Sequence, residues 1–400
     1  MLKERRLSIA LLFILTSTSA LATQKEIQVS NALPDKILTP ALASSTYSPP
    51  PLHATPINEL PSLNAQPNKT SISGLSSGAF MASQFHVAYS KELVGAGIIA
   101  GGPWNCAASV PYNIWNPWSW FTPTVAVATT TCMNPGPMTP YPDSDYLITL
   151  AHKTVDSKGI DDLSHLKNDK VYLFSGKNDH TVVTGVVNST EKFYLELGLR
   201  KEQINYNKTS NAGHAFITTD KRDTLCKKTK SPWINNCNIP QAQKILEHIY
   251  GQQNPAAKEL TGDLFEFPQN DFFTEGAESL IGMNKTGIVY VPKNCYEEQC
   301  KVHVAVHGCG QGISEMDLTY IKETGYLEAA DRNSTIVLYP QVKKTLLLPV
   351  NPKGCWDFWG YSTANIPPLN YYTKDAPQMI AIKNMIDQLI SSPLNSLTKN

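Results

Sequence analysis

Apolar positions along the chain fall into short continuous runs that alternate with longer segments of helical spacing. "KTSISGL" (69–75) reads as a short strand, and "GAFMASQFHVAYSKEL" after it carries apolar residues at helical intervals. "VGAGIIAGG" reads as a buried strand, "KVYLFSGKND" as a strand ending in a polar loop, and "VNSTEKFYLELGL" as a helix. "INYNKTSNAGHAF" is a strand followed by a loop. Later come the strands "TGIVYVPK", "KVHVAVHGCG" and "STIVLYPQV", a helix through "GYLEAADRN", and a closing helix "QMIAIKNMIDQLI". Continuous apolar strands alternating with amphipathic helices predict an α/β fold, a mostly parallel sheet covered on both faces. The polar stretch 251–282 reads as a connector, and no internal repeat is visible.

The first 67 residues do not share this pattern. Lys3, Arg5 and Arg6 precede an apolar stretch from Leu7 to Leu15, and Ala20-Leu21-Ala22 has the small-x-small form of a cleavage site. The expectation is a signal peptide over 1–22, cleaved near Ala22, because the apolar stretch is too short to span a bilayer. Residues 23–67 are rich in Pro, Ser, Ala and Thr and read as an N-terminal arm, leaving 68–400 as a single catalytic domain. No later stretch is apolar enough to cross a membrane, so the mature protein is expected to be secreted, to the periplasm or beyond. Lys and Arg balance Asp and Glu at 34 each. With no long basic run, a nucleic-acid partner is not expected.

Export changes the meaning of the eight cysteines, since an even count in an oxidising compartment favours disulfides. Cys226 with Cys237 and Cys295 with Cys300 are close enough to pair locally. Cys106 and Cys132 flank an aromatic segment and would close it as a loop, which leaves Cys309 with Cys355. No CxxC pair occurs. His303 and His307 lie four apart on a strand, roughly 13 Å at about 3.3 Å per residue, too far to share a metal. No metal and no organic cofactor is expected.

Gly74-Leu75-Ser76-Ser77-Gly78 fits G-x-S-x-G between a strand and a helix, the context in which a tight turn lifts a serine hydroxyl above the sheet. Only Ser76 has the flanking glycines in register. A serine nucleophile needs a base and a group that orients the base, on later strand ends in the order serine, acid, histidine. Asp179 and His214 occupy those places. His180 is a competing base but adjoins the acid, and His86 lies in the helix after the serine and reads as structural. An HG-type loop, "VHGCGQG", follows the whole triad, whereas in ordinary α/β-hydrolases it precedes the nucleophile. A circular permutation accounts for that order. The amides of Ser77 and Cys309 would then hold the oxyanion. Cys309 as a catalytic thiol and "GCGQG" as a phosphate loop are set aside, the first for its expected disulfide, the second for lacking the Lys-Ser/Thr ending.

"SGLSSGAF", "AGGPWNC", "SGKNDHTV", "NAGHAF", "VHGCGQ" and "GCWDFWGY", in that order, resemble the single-domain extracellular poly(3-hydroxybutyrate) depolymerases with a circularly permuted α/β-hydrolase fold. The resemblance runs from about Ser71 to Leu389. It implies Ser76 as nucleophile, Asp179 as acid, His214 as base, and Ser77 and Cys309 as amide donors. It also implies that Trp356 of "GCWDFWGY" lines the substrate cleft. Trp115, Trp118, Trp120 and Phe121, with Trp104 nearby, form a second aromatic concentration. Trp104 and Trp118 are its candidates for contact with a solid polyester or a lipid surface. The expected function is a secreted serine esterase acting on poly- or oligo(3-hydroxybutyrate) through an acyl-enzyme. The alternatives are a lipase-like, feruloyl or other carboxylesterase, and a non-catalytic surface-binding protein. Oligomeric state is not legible. N-x-S/T triplets occur, for example at Asn188 and Asn333.

Overall fold

The computed structural model describes residues 52–110, 123–363 and 369–392. Its strands, in chain order, are β1 (Thr55–Pro56), β2 (Thr70–Leu75), β3 (Leu93–Ile99), β4 (Lys170–Phe174), β5 (Ile204–Asn207), β6 (Phe216–Thr218), β7 (Thr224–Leu225), β8 (Ile234–Asn236), β9 (Asp263–Pro268), β10 (Thr286–Val291), β11 (Lys301–Val306) and β12 (Thr335–Tyr339). Nine of them form one sheet in the order β1-β9-β10-β12-β11-β2-β3-β4-β5, and β6-β8-β7 form a small second sheet. From β12 to β5 every pairing is parallel, while β10 runs antiparallel to both β9 and β12. The fold is thus the expected mostly parallel α/β sheet, of α/β-hydrolase type.

The centre of the sheet is buried on both faces, so β2, β3, β4, β11 and β12 read as near-continuous buried runs. The helix Ser77–Ala88 packs on β2 and β3 and is buried at all twelve positions. That explains its composition, which is small and apolar around its whole circumference rather than along one stripe. Two buried histidines at this centre are fully paired. His303 of β11 accepts and donates between Ser71 (2.6 Å) and Ser73 (2.7 Å) of the neighbouring β2. His86 bonds Asp169 (3.1 Å) and Tyr194 (3.0 Å), which settles it as a packed residue.

Two boundaries differ from the sequence reading. The compact fold begins before residue 68: β1 pairs with β9, and Leu60 and Ala65 are buried. The proline-rich composition hid these contacts because isolated apolar anchors carry no periodicity. The segment 251–282 is more than a connector, since it supplies β9. "DLFEFP" is too short and too acidic to stand out, and its partner β10 gives it its place. The last turn of the helix Pro377–Ile390 returns to the start of this region. The carbonyl of Leu389 accepts from the amides of Leu63 (3.2 Å) and Ala65 (3.0 Å), just ahead of β2.

The eight cysteines form four disulfides: Cys106–Cys132, Cys226–Cys237, Cys295–Cys300 and Cys309–Cys355. Among the described residues no helix is long and apolar enough to cross a membrane.

Candidate active site

Ser76 directly follows β2 and caps the start of the helix Ser77–Ala88 with φ 56° and ψ −122°. A non-glycine residue reaches this region only under constraint. The constraint is visible. The Ser76 amide donates to Ile99 of β3 (2.9 Å), and the helix that follows is clamped against β11. A Cβ at Gly78 would lie 2.4 Å from the carbonyl oxygens of both Val306 and His307. One at Gly74 would lie 2.3 Å from the Gly78 oxygen. The two glycines of the pentapeptide are therefore required by close backbone approach, which lets the turn bring the serine to the end of the sheet.

Asp179 sits in the loop after β4 and His214 in the loop after β5. The two loops are stitched together by Lys177 N–H to Ser210 O (2.9 Å) and Asn178 N–H to Ala212 O (2.9 Å). One carboxylate oxygen of Asp179 accepts from the amides of Thr181 (2.8 Å) and Val182 (2.9 Å). The other accepts from His214 Nδ1–H at 2.8 Å. Both side chains are nearly buried. Because Nδ1 donates to the acid, Nε2 of the neutral ring is an acceptor, the state a general base requires. His214 is anchored further by its amide to Thr229 Oγ1 (2.9 Å) and by Gly213 N–H to Cys226 O (2.8 Å), within the segment that Cys226–Cys237 closes. His180 is exposed and stands outside this arrangement.

Ser76, Ser77, His214 and Cys309 line one cavity of about 510 Å³. Its other walls are overwhelmingly apolar, with Phe80, Trp233, Phe358 and Trp359 among them. The loop Gly308–Cys309 follows β11 and lies against the serine turn, where a Cβ on Gly308 would be 3.4 Å from Ser76 Cβ. β11 pairs with β2 in register His303 to Ser71 and Val306 to Gly74, which sets that juxtaposition.

The tryptophans expected to meet substrate lie elsewhere. Trp356 is fully buried beside His307, with ring centroids 5.7 Å apart. Trp104 is fully buried and donates its indole N–H to Tyr372 O (3.0 Å). Neither lines the cavity. Both sit in motifs rich in glycine and cysteine, where a large ring fills the core beneath a tight loop. Trp118 lies outside the described residues. Among the described residues the indoles at the cavity are Trp359, three residues beyond Trp356, and Trp233, which sits at φ 56°. In "GCWDFWGY" the choice between tryptophans is made by Asp357. Its buried carboxylate gathers the amides of Trp359 (3.1 Å), Gly360 (2.7 Å), Tyr361 (3.1 Å) and Ser362 (2.9 Å) and curls the loop. Burial raises the pKa of this carboxyl against the opposing pull of those bonds. Trp233 had no sequence signal, because nothing local distinguishes it from a loop tryptophan. Gln311 also lines the cavity and was legible only as part of "VHGCGQG".

A mostly parallel sheet, a serine on a strained strand-to-helix turn, and an acid-held histidine on later strand ends together define an α/β-hydrolase-fold serine ester hydrolase. A polyhydroxybutyrate depolymerase of Talaromyces funiculosus is 34% identical over 348 residues, covering 83% of this chain and 92% of that protein. The chain belongs to the poly(3-hydroxybutyrate) depolymerase family. A poly(3-hydroxybutyrate) depolymerase of Delftia acidovorans is 37% identical over 338 residues, and the match spans 83% of this chain but only 62% of that relative's length. Among solved structures, a PHB depolymerase from Penicillium funiculosum superposes with a TM-score of 0.71 at 32% identity, covering 83% of this chain and 99% of that one. A serine-to-alanine variant of a PHB depolymerase, complexed with an R3HB trimer, superposes with a TM-score of 0.70 at 31% identity and the same coverage. No family model matches the chain.

Proposed function

We propose that this protein hydrolyses the ester bonds of poly- or oligo(3-hydroxybutyrate), with Ser76 as nucleophile, His214 as general base and Asp179 as the group that orients it. The observation that carries the reading is the Asp179–His214 bond at 2.8 Å, beside a strained Ser76, on one apolar cavity. His214 takes the Ser76 proton as the oxygen attacks the ester carbonyl. The tetrahedral oxyanion is held by the amides of Ser77 and Cys309. Collapse expels the alcohol end of the chain with the proton from His214, and water releases the acyl group by the same steps in reverse. The apolar walls suit a backbone of esters and methyl groups, and the relative complexed with an R3HB trimer supports that substrate class.

The position of β11 beside β2, though it follows β5 in the chain, supports a circularly permuted α/β-hydrolase order. Four disulfides and the basic-apolar start of the sequence support export after cleavage near Ala22, with residues 23–67 as a leader whose last part packs on the catalytic domain.

The test is clearing of a poly(3-hydroxybutyrate) suspension by wild type, Ser76→Ala and Ser77→Ala. Loss of the nucleophile should reduce turnover by about a million-fold, while Ser77→Ala, whose backbone N–H remains, should stay active. An active Ser76→Ala protein overturns the assignment. Turnover of short chromogenic esters without clearing of polymer overturns the substrate.

A further inference from the structure

The oxyanion amide assigned to Cys309 belongs to the peptide that joins Gly308 to Cys309. In a trans peptide the carbonyl and the N–H point in opposite directions. Whatever fixes the Gly308 carbonyl therefore aims the Cys309 N–H. His307 Nδ1 lies 2.7 Å from that carbonyl, and since a carbonyl can only accept, Nδ1 carries the proton. The Val342 amide approaches the other ring nitrogen, Nε2, at a longer 3.4 Å, so that nitrogen accepts. The ring is thus neutral and in one tautomer. It is buried between Trp356 and Tyr320 and absent from the cavity wall, whereas Cys309 is on that wall. With the carbonyl turned toward His307, the N–H turns away from it.

A second clamp holds the preceding peptide. Gln311 Oε1 accepts the Gly308 amide at 2.7 Å, and Gln311 Nε2 donates to Pro232 O at 2.8 Å. The Gln311 backbone N–H also donates to the Gly308 carbonyl at 3.2 Å. Both polar groups of Gly308 are therefore spoken for, and Gly308 has no side chain to restrict it otherwise. A Cβ there would meet Gln311 Oε1 at 2.9 Å, so the clamp needs glycine. The disulfide to Cys355 holds the far side of the loop.

We infer that His307 and Gln311 are positioning residues that lock the two peptides flanking Gly308 and so pre-aim the Cys309 N–H at the oxyanion. The catalytic half of this inference rests on the esterase reading above, and the structural half does not. Oxyanion donors act by being fixed before charge develops. A loose amide would spend part of the reaction's driving force on reorientation. Neither His307 nor Gln311 touches the reacting atoms in this scheme.

Two isosteric replacements separate the lock from mere packing. His307→Asn retains an N–H donor near the Nδ1 position and loses the Nε2 acceptor. His307→Gln does the reverse. With a soluble ester, His307→Asn should keep turnover within about threefold of wild type. His307→Gln should lose roughly 10- to 100-fold in kcat with little change in KM, less than the ~100- to 1000-fold cost of removing a donor outright. A readout free of activity uses protein labelled with carbonyl-¹³C glycine and ¹⁵N cysteine, which isolates two peptides, Gly308–Cys309 and Gly354–Cys355. The Cys355 amide, bound to Asn351 Oδ1 at 2.9 Å, is the internal control. The Cys309 signal should be sharp in wild type and His307→Asn, and shifted or broadened in His307→Gln, with Cys355 unchanged. Should His307→Gln not fold, Gln311→Leu removes the other clamp and should show the same kcat loss and the same broadening. An unmoved Cys309 signal in the clamp-breaking variant overturns the lock, as does equal loss of kcat in His307→Asn and His307→Gln. A wild-type protein that turns over no ester sinks the esterase reading, and the amide signal then decides the lock alone.

Discussion

At the scale of residues, the buried histidines of β11 and its loop divide from the histidine on the cavity. His303 and His307 have their pKa values pushed down by burial, to about 3 and about 4, from an ordinary 6.5. Their folded values are depressed, so the native state refuses protons that the unfolded chain accepts. Stability is complete above the unfolded value and falls as pH drops from ~6.5 toward ~4, with a slope of about 1.4 kcal/mol per pH unit for each ring. Urea melts across that window should show roughly a two-proton dependence from this pair. His303→Gln should remove one proton from the slope whatever it does to the midpoint. An unchanged slope would assign the loss to carboxylates instead. Ser76, Asp179 and His214 were legible as residue types in chain order. Trp356 and Trp104 were misplaced because burial is a property of the loop's path, which Asp357 and its four amides determine.

At the scale of elements, the site is a meeting of four loops. The Ser76 turn is held by β2 and β3, the Asp179 and His214 loops by their mutual hydrogen bonds, and the Gly308–Cys309 loop by β11 and Cys355. The Cys309–Cys355 bond closes a separation of 46 residues, for which chain entropy gives about 4 kcal/mol. The paired variant Cys309→Ala with Cys355→Ala should therefore melt roughly 5 °C lower. It should also lose turnover if the Gly308–Cys309 loop holds the oxyanion as proposed, because one side of that loop is released. Scanning calorimetry and ester kinetics on the same preparation check both, and a lower Tm with wild-type kcat would make the bond structural alone. Strand runs such as "VYLF" and "IVLY" were readable from apolar continuity. β9 and the small sheet β6-β8-β7 were not, since each is short or mixed in polarity and gains its place from its partner strands rather than from an apolar run of its own.

At the scale of the whole molecule, the cavity mouth continues into an exposed apolar loop. Leu346, Leu347 and Leu348 are 79%, 83% and 73% exposed, and Val350 beyond them also lines the cavity. Thr345 and Asn351 pair across the base of this loop and hold it out. Exposed side chains of this size in one place suit a surface substrate more than a dissolved one. Leu346→Ser with Leu347→Ser and Leu348→Ser should weaken adsorption to polymer film severalfold and slow its clearing, while soluble-ester kcat stays near wild type. Equal loss on both substrates would make the loop part of the site itself.

The sequence by itself determined the class of fold and the partners of the eight cysteines, and it pointed to Ser76, Asp179 and His214 as the residues of the proposed mechanism. These follow from local rules: apolar runs, glycines flanking one serine in register, and cysteines close enough to pair locally, which leave a last pair by elimination. Only the tertiary structure decided which aromatic rings face the cavity, where the compact fold begins, and how the Gly308–Cys309 peptide is aimed. Those depend on contacts between segments far apart in sequence, such as Gln311 with Pro232 or Leu389 with Leu63 and Ala65, which no single stretch of chain encodes.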